Sequence, residues 1–204
     1  MRFFKLIKSD VDVSPFLDEI DANASAWLHN TSRQAKIVVQ RETNTIFLRA
    51  ARSRPDLHGN ENQESRPTGL APAFPRALAF METVAQALDA DLSRATIVRL
   101  SPHGTVYPHI DVGSYYLIRD RLHLVLHSPA GSVMVAGDEE VRMQPGELWW
   151  FDNKQHHAAI NESSEWRIHF IFDVLTNRYR HLARTPLPPT DLIRRYAADE
   201  AVSA

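Results

Sequence analysis

The sequence predicts a mainly β domain with flanking helices, in which an antiparallel sandwich or barrel forms the centre. The first observation is a series of seven short apolar runs in the second half of the chain. The second is that turn residues such as Pro145-Gly146 and Gly137-Asp138 separate many of these runs. Regularly spaced short strands of this kind are typical of antiparallel sandwiches and barrels. The runs cover residues 96–100, 106–110, 122–126, 132–136, 147–151, 158–160 and 167–174.

The N-terminal part of the chain predicts a helix. Ser14 followed by Pro15 fits an N-cap and the first helical position. Phe16, Ile20 and Trp27 then recur at near-helical spacing on one face. We therefore expect a helix to begin at Ser14 and to bury this face.

The segments between this helix and the strands follow weaker signals. Residues 35–50 predict two short strands around a polar centre. Residues 51–70 are polar and aperiodic, and they predict a long loop that is either a functional lid or a mobile surface loop. Further helices are expected over residues 75–89 and, with Thr190 as its cap, over 190–198. The apolar side of the helix over 75–89 would consist of Leu78, Met81, Ala85 and Leu88.

The composition fits a single soluble domain. The chain has 204 residues, of which 44% are hydrophobic and 24% charged, and this length is enough to bury a sizeable core. We expect one domain over residues 1–178, with its central motifs in 95–175, and a helical tail over 179–204. The sequence leaves the oligomeric state open.

Charge and hydropathy exclude several classes of partner. The net charge of −2 is too small to indicate a nucleic-acid partner. No run of about 18 apolar residues is present, so we expect no membrane partner. The first apolar run is too short for a signal peptide, and a cytoplasmic location is therefore expected.

The chain contains no cysteine. Disulfides, thiolate nucleophiles, zinc–thiolate sites and iron–sulfur clusters are therefore excluded. Any metal ion must be bound by histidine, carboxylate, amide or water.

A pair of candidate metal ligands lies at the end of the second apolar run. His109 and Asp111 are two residues apart, so on a strand both side chains leave the same face. An imidazole and a carboxylate at this spacing can bind one ion from adjacent positions. A third ligand must come from a distant strand, and His156 and His157 both qualify by spacing alone. Two histidines and one carboxylate with open coordination positions suit a non-haem iron(II) oxygenase, although zinc would tolerate the same ligands.

An arginine at the start of an apolar strand strengthens the oxygenase hypothesis. Arg167 opens the apolar run over 167–174, where burying its charge without an anionic partner is costly. The co-substrate 2-oxoglutarate is a dianion whose far carboxylate suits the planar fork of an arginine. The alternative is a structural ion pair between Arg167 and Asp173 or Glu165.

Several motifs in a fixed order resemble the aspartyl/asparaginyl β-hydroxylase family, including its small bacterial members that hydroxylate free proline. The resemblance covers roughly residues 95–175. It rests on the following motifs: Pro108-His109-Ile110-Asp111, Arg121-Leu122-His123-Leu124, Pro145-Gly146-Glu147 leading to Trp150-Phe151-Asp152, His157 four residues before Asn161, and Arg167 leading to Asp173.

The resemblance implies a double-stranded β-helix fold and an Fe(II)/2-oxoglutarate-dependent dioxygenase that uses O2. It implies that His157, rather than His156, completes the catalytic iron site with His109 and Asp111. It also implies that Arg167 binds the far carboxylate of 2-oxoglutarate. The positions of Arg121 and His123 match residues near the keto-acid end or the substrate; the alternative for Arg121 is a solvated strand end.

The substrate class implied by the resemblance is an amino acid, either an Asp- or Asn-type residue in a peptide or protein, or a free amino acid. Thr96 stands where the proline-acting relatives use an arginine for the carboxylate of the amino acid, which weakens the case for free proline. The candidate substrate contacts are Arg99, Arg121 and Trp149, although tryptophan in a barrel is more often core. Asp111 is present, as in the bacterial relatives, whereas some animal members lack this carboxylate.

The alternative hypothesis is a non-oxidative cupin-type metal enzyme or a ligand-sensing module. His157 and Asn161 after a Pro-Gly turn also fit the second cupin element. The first cupin element would supply a second histidine and a glutamate, whereas residues 112–118 contain no carboxylate. The oxygenase hypothesis is therefore preferred.

Overall fold

The computed structural model describes residues 1–53, 55–56 and 59–183. Within them the chain forms eleven strands, four α-helices and four short 3-10 helices. The strands are β1 (Phe4–Lys8), β2 (Thr43–Ala50), β3 (Arg66–Pro67), β4 (Ala90–Leu100), β5 (Thr105–His109), β6 (Asp120–His127), β7 (Ser132–Ala136), β8 (Glu139–Val141), β9 (Leu148–Phe151), β10 (His157–Asn161) and β11 (Arg167–Thr176). The α-helices are α1 (Ser14–Ala22), α2 (Ser32–Lys36), α3 (Pro75–Ala87) and α4 (Ser114–Leu117), and the 3-10 helices are Ala24–Leu28, Val38–Gln40, Ala71–Ala73 and Asn177–Ala183.

The strands form two antiparallel sheets. The larger has the order β1-β9-β6-β11-β4-β2-β3, and the smaller has the order β5-β10-β7-β8. Buried side chains from both sheets, among them Val125 and Phe151 from the larger and Met134 and Ala159 from the smaller, form one apolar cluster between them. The seven predicted apolar runs correspond to β4, β5, β6, β7, β9, β10 and β11, so the prediction of an antiparallel two-sheet domain is confirmed.

The two faces of the larger sheet have different neighbours, because side chains alternate along a strand. On β11, Phe170, Phe172 and Val174 are buried in the cluster that contains the apolar sides of α1 and α3. Arg167 and His169 lie on the opposite face and line a cavity. One face of this sheet therefore supplies the core, and the other supplies polar groups to a cavity.

The N-cap of the N-terminal helix lies one residue earlier than the sequence predicts. Val13, not Ser14, is the N-cap of α1, and the side chain of Asp12 accepts a hydrogen bond of 3.0 Å from the backbone N–H of Ser14. Phe16 and Ile20 are buried as expected, whereas Trp27 is buried from the following 3-10 helix.

The prediction of two strands in residues 35–50 is half wrong. β2 forms, but the preceding segment consists of α2 and the 3-10 helix Val38–Gln40. Ile37 and Val38 are 41% and 70% exposed, so no sheet face buries the apolar pair that suggested a strand.

The helix predicted over residues 75–89 is confirmed as α3, although Leu88 lies beyond its end and is 38% exposed. The predicted helix over 190–198, with Thr190, lies outside the described residues. The short strands β1, β3 and β8 were not predicted from the sequence. In the part of the chain that the structure covers, no helix is long and apolar enough to cross a membrane.

Part of the loop over 51–70 is tied to the domain by hydrogen bonds. The guanidinium of Arg94 donates to the carbonyls of Gly59 and Asn62 at 2.8 and 2.6 Å. The backbone N–H of Tyr115 donates to the carbonyl of Asn60 at 3.0 Å. This part of the loop therefore lies against β4 and α4, close to the segment that follows β5.

Gly113 makes this contact possible, and its substitution tests the loop packing. Its φ of 114° and ψ of 158° are available almost only to glycine, and an added Cβ would lie 2.6 Å from the Asn60 carbonyl oxygen. We expect Gly113→Ala to lower the free energy of unfolding by about 1–3 kcal/mol from backbone strain, before any clash. Gly69→Ala is the control, because an added Cβ there would have no atom within 4 Å. Thermal unfolding measures both variants, and equal stabilities would contradict this packing of the loop.

Candidate metal centre

Three side chains that the sequence predicts as metal ligands meet at one point. His109 ends β5, His157 begins β10, and these residues are paired in the register of the smaller sheet. Asp111 follows two residues after β5, beyond the strand that was expected to carry it. The ligand atoms of all three lie within 4.8 Å of one another. One Asp111 carboxylate oxygen is 4.0 Å from Nε2 of His109, and the other is 4.0 Å from Nε2 of His157.

Hydrogen bonds to the backbone orient both histidines. Nδ1 of His109 is 2.7 Å from the carbonyl of Tyr107, and Nδ1 of His157 is 3.0 Å from the carbonyl of Gln155. A carbonyl only accepts, so each Nδ1 carries the proton and each Nε2 presents a lone pair to Asp111. Metal-binding histidines are usually held in this way. Three ligand atoms that are each about 2 Å from one ion lie within about 4 Å of each other. Small side-chain movements would therefore bring these three atoms to the separations that an ion requires.

Asp111 is held as an anion. Its Oδ2 accepts hydrogen bonds from Nη1 of Arg121 and, at 3.0 Å, from Nδ2 of Asn153. Burial alone would raise the pKa of Asp111, but the positive charge of Arg121 and the nearby histidines outweigh it, so the pKa is lowered. Oδ1 is left for an ion.

Arg121 links two buried carboxylates. Besides Asp111, it donates to Asp173 through Nε at 2.8 Å and Nη2 at 3.1 Å. Its side chain is 17% exposed, so the alternative of a solvated strand end is wrong. Burial lowers the pKa of Arg121, but the charges of Asp111 and Asp173 raise it well above its usual value. Most of its guanidinium is engaged by these carboxylates, although the side chain also lines the cavity.

The choice between the two neighbouring histidines follows from their burial. His157 is 5% exposed and faces Asp111, and burial lowers its pKa to about 4. His156 is exposed, and its carbonyl accepts a hydrogen bond from Gly137. Only His157 joins the cluster of possible ligands.

A cavity of about 460 Å³ adjoins this cluster. His109, His157 and Arg121 line it on one side, and Arg167 lines it from the start of β11. Thr96 lines it from the middle of β4. This volume is in the range of small-molecule sites.

Arg167 is 7% exposed and has no carboxylate partner among the described residues. Asp173 binds Arg121, and Glu165 lies near His127 at 3.2 Å, so neither predicted ion pair forms. In the described part of the chain, the side-chain atoms in hydrogen-bonding range of its guanidinium are Sδ of Met134 at 3.8 Å and Nδ1 of His169 at 3.3 Å. Burial lowers the pKa of Arg167 to about 10, which leaves it charged at neutral pH.

A pair of buried histidines extends from Arg167. Nδ1 of His169 lies 3.3 Å from Nδ1 of His123 as well as from Arg167. Arginine only donates, so Nδ1 of His169 accepts, and Nδ1 of His123 carries the proton between the rings. His169 then has an Nε2–H and His123 a bare Nε2, and neither atom has a described partner. Burial, followed by the charge of Arg167, lowers both pKa values well below the usual one.

His169 was not predicted as a site residue, although a signal for it exists. It lies two residues after Arg167 on the same strand, so the two side chains share a face. Asn153 was also missed, because its contact with Asp111 joins residues 42 positions apart.

Two of the predicted substrate contacts lie away from the cavity. Nε of Arg99 donates to Asn44 at 3.0 Å, and its guanidinium lies over the rings of Trp27 and Trp166. Trp149 is buried between the sheets, and its Nε1 donates to Glu147 at 2.8 Å. Neither residue is part of the cavity lining, so both predictions of direct contact with a bound molecule are unsupported.

Comparisons with known proteins agree with this geometry. The profile of the family described as aspartyl/asparaginyl beta-hydroxylase matches residues 25–177. L-proline cis-4-hydroxylase of Rhizobium meliloti (strain 1021) is 27% identical over 154 residues, which are 72% of this chain and 54% of that protein. The chain thus spans about half the length of this curated relative.

Two solved structures share the fold at low sequence identity. One is a prolyl hydroxylase from Trichoplax adhaerens in complex with a hypoxia inducible factor peptide fragment, with a TM-score of 0.59, 10% identity, and coverage of 91% of this chain and 89% of that one. The other is AviO1 from Streptomyces viridochromogenes, with a TM-score of 0.54, 12% identity, and coverage of 91% and 93%. The predicted double-stranded β-helix is confirmed.

The buried histidine pair predicts a pH dependence of stability. The pKa values of His123 and His169 are well below the usual value in the folded protein. In the unfolded chain both side chains gain protons at a higher pH than in the folded protein. The unfolded state therefore binds more protons below about pH 6.5, and the free energy of unfolding falls as the pH is lowered. Each histidine contributes up to about 1.4 kcal/mol per pH unit.

His169→Gln tests this contribution, because glutamine keeps an acceptor for Arg167 and does not titrate. We expect its stability to fall less steeply than that of the wild type between pH 7 and pH 5, by about 1 kcal/mol per pH unit. Urea unfolding of the metal-free protein measures the slopes. His29→Gln, at an exposed position, controls for the loss of a histidine. Equal slopes for His169→Gln and the wild type would contradict the assignment.

Proposed function

Because this chain belongs to the aspartyl/asparaginyl β-hydroxylase family, we propose that it is an iron(II)- and 2-oxoglutarate-dependent oxygenase that hydroxylates an aliphatic C–H bond of an amino acid, free or in a peptide. The observation that carries the proposal is the pairing of two features in one cavity. These are a cluster of two histidines and one carboxylate, and a buried arginine without a described carboxylate partner. Either feature alone would fit many metal or anion sites.

The donor set fits iron(II). Nε2 of His109, Oδ1 of Asp111 and Nε2 of His157 would hold the ion, because their other polar atoms are already hydrogen-bonded. Two imidazoles and one carboxylate from one side leave coordination positions open, as non-haem iron oxygenases require. Asp111 supplies the negative charge, and Arg121 and Asn153 keep its carboxylate in place.

The cavity end at Arg167 fits the far carboxylate of 2-oxoglutarate. Arg167 offers a charged, planar donor group, and Nδ1 of His169 accepts from it and helps to hold it in place. His123 links this end to the metal cluster, since its ring packs on Phe151, which packs on His157.

Iron(II) with 2-oxoglutarate and O2 would supply the oxidant that converts C–H to C–OH, while 2-oxoglutarate leaves as succinate and carbon dioxide. The residues of the chain perform the remaining tasks. Arg167 orients the co-substrate, Asp111 and the two histidines hold the ion, and the buried walls limit the access of water. We assign these tasks to one catalytic domain over residues 1–178.

The substrate proposal stays at the level of an amino acid. The family name points to Asp- or Asn-type residues, and the curated relative is named as an L-proline hydroxylase. Thr96 lines the cavity and carries no charge, so an amino-acid carboxylate needs a cation elsewhere on the wall.

The first test of this function is spectroscopic. We expect the protein with iron(II) and 2-oxoglutarate, without oxygen, to show a weak visible charge-transfer band, and to release succinate slowly once oxygen is admitted. His109→Ala should abolish both signals because it removes a ligand atom. His156→Ala is the matched control and should keep both, since His156 is exposed and outside the cluster. A wild-type protein with neither signal would refute the proposed function.

The second test concerns the co-substrate end. We expect Arg167→Ala to raise the 2-oxoglutarate concentration for half-maximal band formation tenfold or more, and to change the dissociation constant for iron much less. Arg167→Lys keeps the charge but loses the two-pronged donor, and should fall between. Arg99→Ala, on the opposite face of the neighbouring strand, is the control. An unchanged requirement for 2-oxoglutarate in Arg167→Ala would remove this residue from its role.

A further inference from the structure

The cavity has a second cationic end that the proposed chemistry leaves unused. On β4 the side chains of Arg94, Thr96, Val98 and Leu100 line the cavity in alternation. Leu100 is paired with Arg167 in the sheet, whereas Arg94 lies six residues along the strand. At about 3.3 Å per residue this is roughly 20 Å. Arg94 and Arg167 therefore mark opposite ends of the cavity.

Arg94 is held in place by neutral groups. Its guanidinium lies 3.8 Å from the ring centroid of Tyr115 and, within the described residues, donates to the backbone carbonyls of Gly59 and Asn62. Its Nε is buried and has no partner among the described residues. An arginine in this environment has no carboxylate to compensate its charge.

Arg49 adds a second charge at the same end. It lines the cavity from β2, with Nε donating to the carbonyl of Ser93 at 2.9 Å and Nη2 to that of Ser65 at 3.2 Å. Partial burial lowers its pKa. Among residues 1–53, 55–56 and 59–183, no carboxylate lies within ion-pair distance of Arg49 or Arg94. Among the described residues that line the cavity, Asp173 carries a carboxylate, and Arg121 and Tyr115 already bind it.

The charged groups assigned to the metal ion and to 2-oxoglutarate balance without these two arginines. An iron(II) ion with Arg121 and Arg167 carries four positive charges. Asp111, Asp173 and the 2-oxoglutarate dianion carry four negative charges. Arg49 and Arg94 stand outside this balance, and the one carboxylate that acts on Arg49, Glu82, does so only through a longer-range Coulombic attraction. This step rests on the proposed function.

The wall between the two ends is largely apolar. Phe47, Val98 and Ile171 line it, with Thr96 between them. A ligand that bridges the cavity therefore needs an aliphatic part along this wall and an anionic group at its far end. Apolar walls with a few placed polar groups are usual for small-molecule sites.

We propose that Arg94 and Arg49 bind a carboxylate of the substrate, and that the substrate is a small aliphatic carboxylate whose reacting C–H bond lies between this group and the metal. The guanidinium of Arg94, which lines the cavity, is the planar, charged donor group that a carboxylate needs. The carboxylate is either the α-carboxylate of a free amino acid or the side-chain carboxylate of an acidic residue. Arg94 and Arg49 are thus specificity-determining residues for the hydroxylation.

The test uses the protein with iron(II) and 2-oxoglutarate in the absence of oxygen. Free L-glutamate, L-glutamine, L-aspartate, L-asparagine and L-proline are titrated in, together with their C-terminal amides. Perturbation of the charge-transfer band gives each dissociation constant, and mass spectrometry after oxygen is admitted identifies any product 16 Da heavier. Comparing the dissociation constants of glutamate and glutamine, and of aspartate and asparagine, tests whether the arginines bind a side-chain carboxylate. Comparing the dissociation constants of each free amino acid and its C-terminal amide tests whether the arginines bind the α-carboxylate.

We expect at least one carboxylate to bind tenfold or more tightly than its matched amide. Arg94→Gln should bring that ratio close to one, Arg49→Gln should reduce it, and Arg94→Lys should keep part of it. The 2-oxoglutarate requirement should not change in these variants. Arg99→Gln, on the same strand and outside the cavity, should keep the wild-type ratio.

A role of Arg94 only in anchoring the loop gives a different result. Arg94→Gln would then weaken the acid and its amide equally and leave the ratio unchanged, which would overturn the proposal. It would also be overturned if no compound of the series perturbed the band, or if acids and amides bound equally to the wild type. These outcomes leave the band itself intact and so differ from a failure of the proposed function, in which no band forms at all.

Discussion

Arg121 lies between Asp111 and Asp173, and the arrangement of the candidate site depends on this contact. Asp111 follows a strand of the smaller sheet, whereas Arg121 and Asp173 belong to the larger one, so the ion triad joins the two sheets beside the metal cluster. Burying three charges is costly, and the geometry must be good to repay the desolvation. Here the arginine binds one carboxylate through two nitrogens and the other through its third. The same contact keeps Asp111 ionised and leaves one of its oxygens free, so a structural interaction also prepares a ligand.

The alternation of side chains on β4 and β11 divides the larger sheet into a supporting face and a reactive face. Phe170 and Phe172 pack against the helices, while Arg167 and His169 project to the other side. Because these strands are central in the sheet and fully paired, the cavity groups stand on a rigid base. The helices therefore contribute to the site indirectly, by burying the face that does not carry it.

The cavity also carries groups that do not stabilise the fold. Arg167 has no described carboxylate partner, and the pKa values of His123 and His169 are lowered by burial and by the charge of this arginine. Burying an unpaired charge or an unsatisfied imidazole nitrogen costs stability unless a ligand supplies the partner. Such groups lie at the end of the cavity assigned to 2-oxoglutarate, and the guanidinium groups of Arg49 and Arg94, which have no carboxylate partner among the described residues, lie at the other. The unsatisfied groups thus outline what the cavity is suited to bind.

The sequence by itself determined the features that depend on local spacing. Short apolar runs between turns predicted the strands, the two-residue interval predicted that His109 and Asp111 act together, and an arginine opening an apolar run predicted a buried cation. The strand pattern failed for residues 35–40, because apolar residues there meet no sheet face and stay exposed. Only the tertiary structure decided which side chains meet across strands. His157 is buried beside the other ligands, whereas His156 is exposed. Asp173 forms its ion pair with Arg121 rather than with Arg167. Arg99 stacks on two tryptophans away from the cavity. These outcomes depend on strand register and packing, which bring together residues tens of positions apart and leave no periodic signal in the chain.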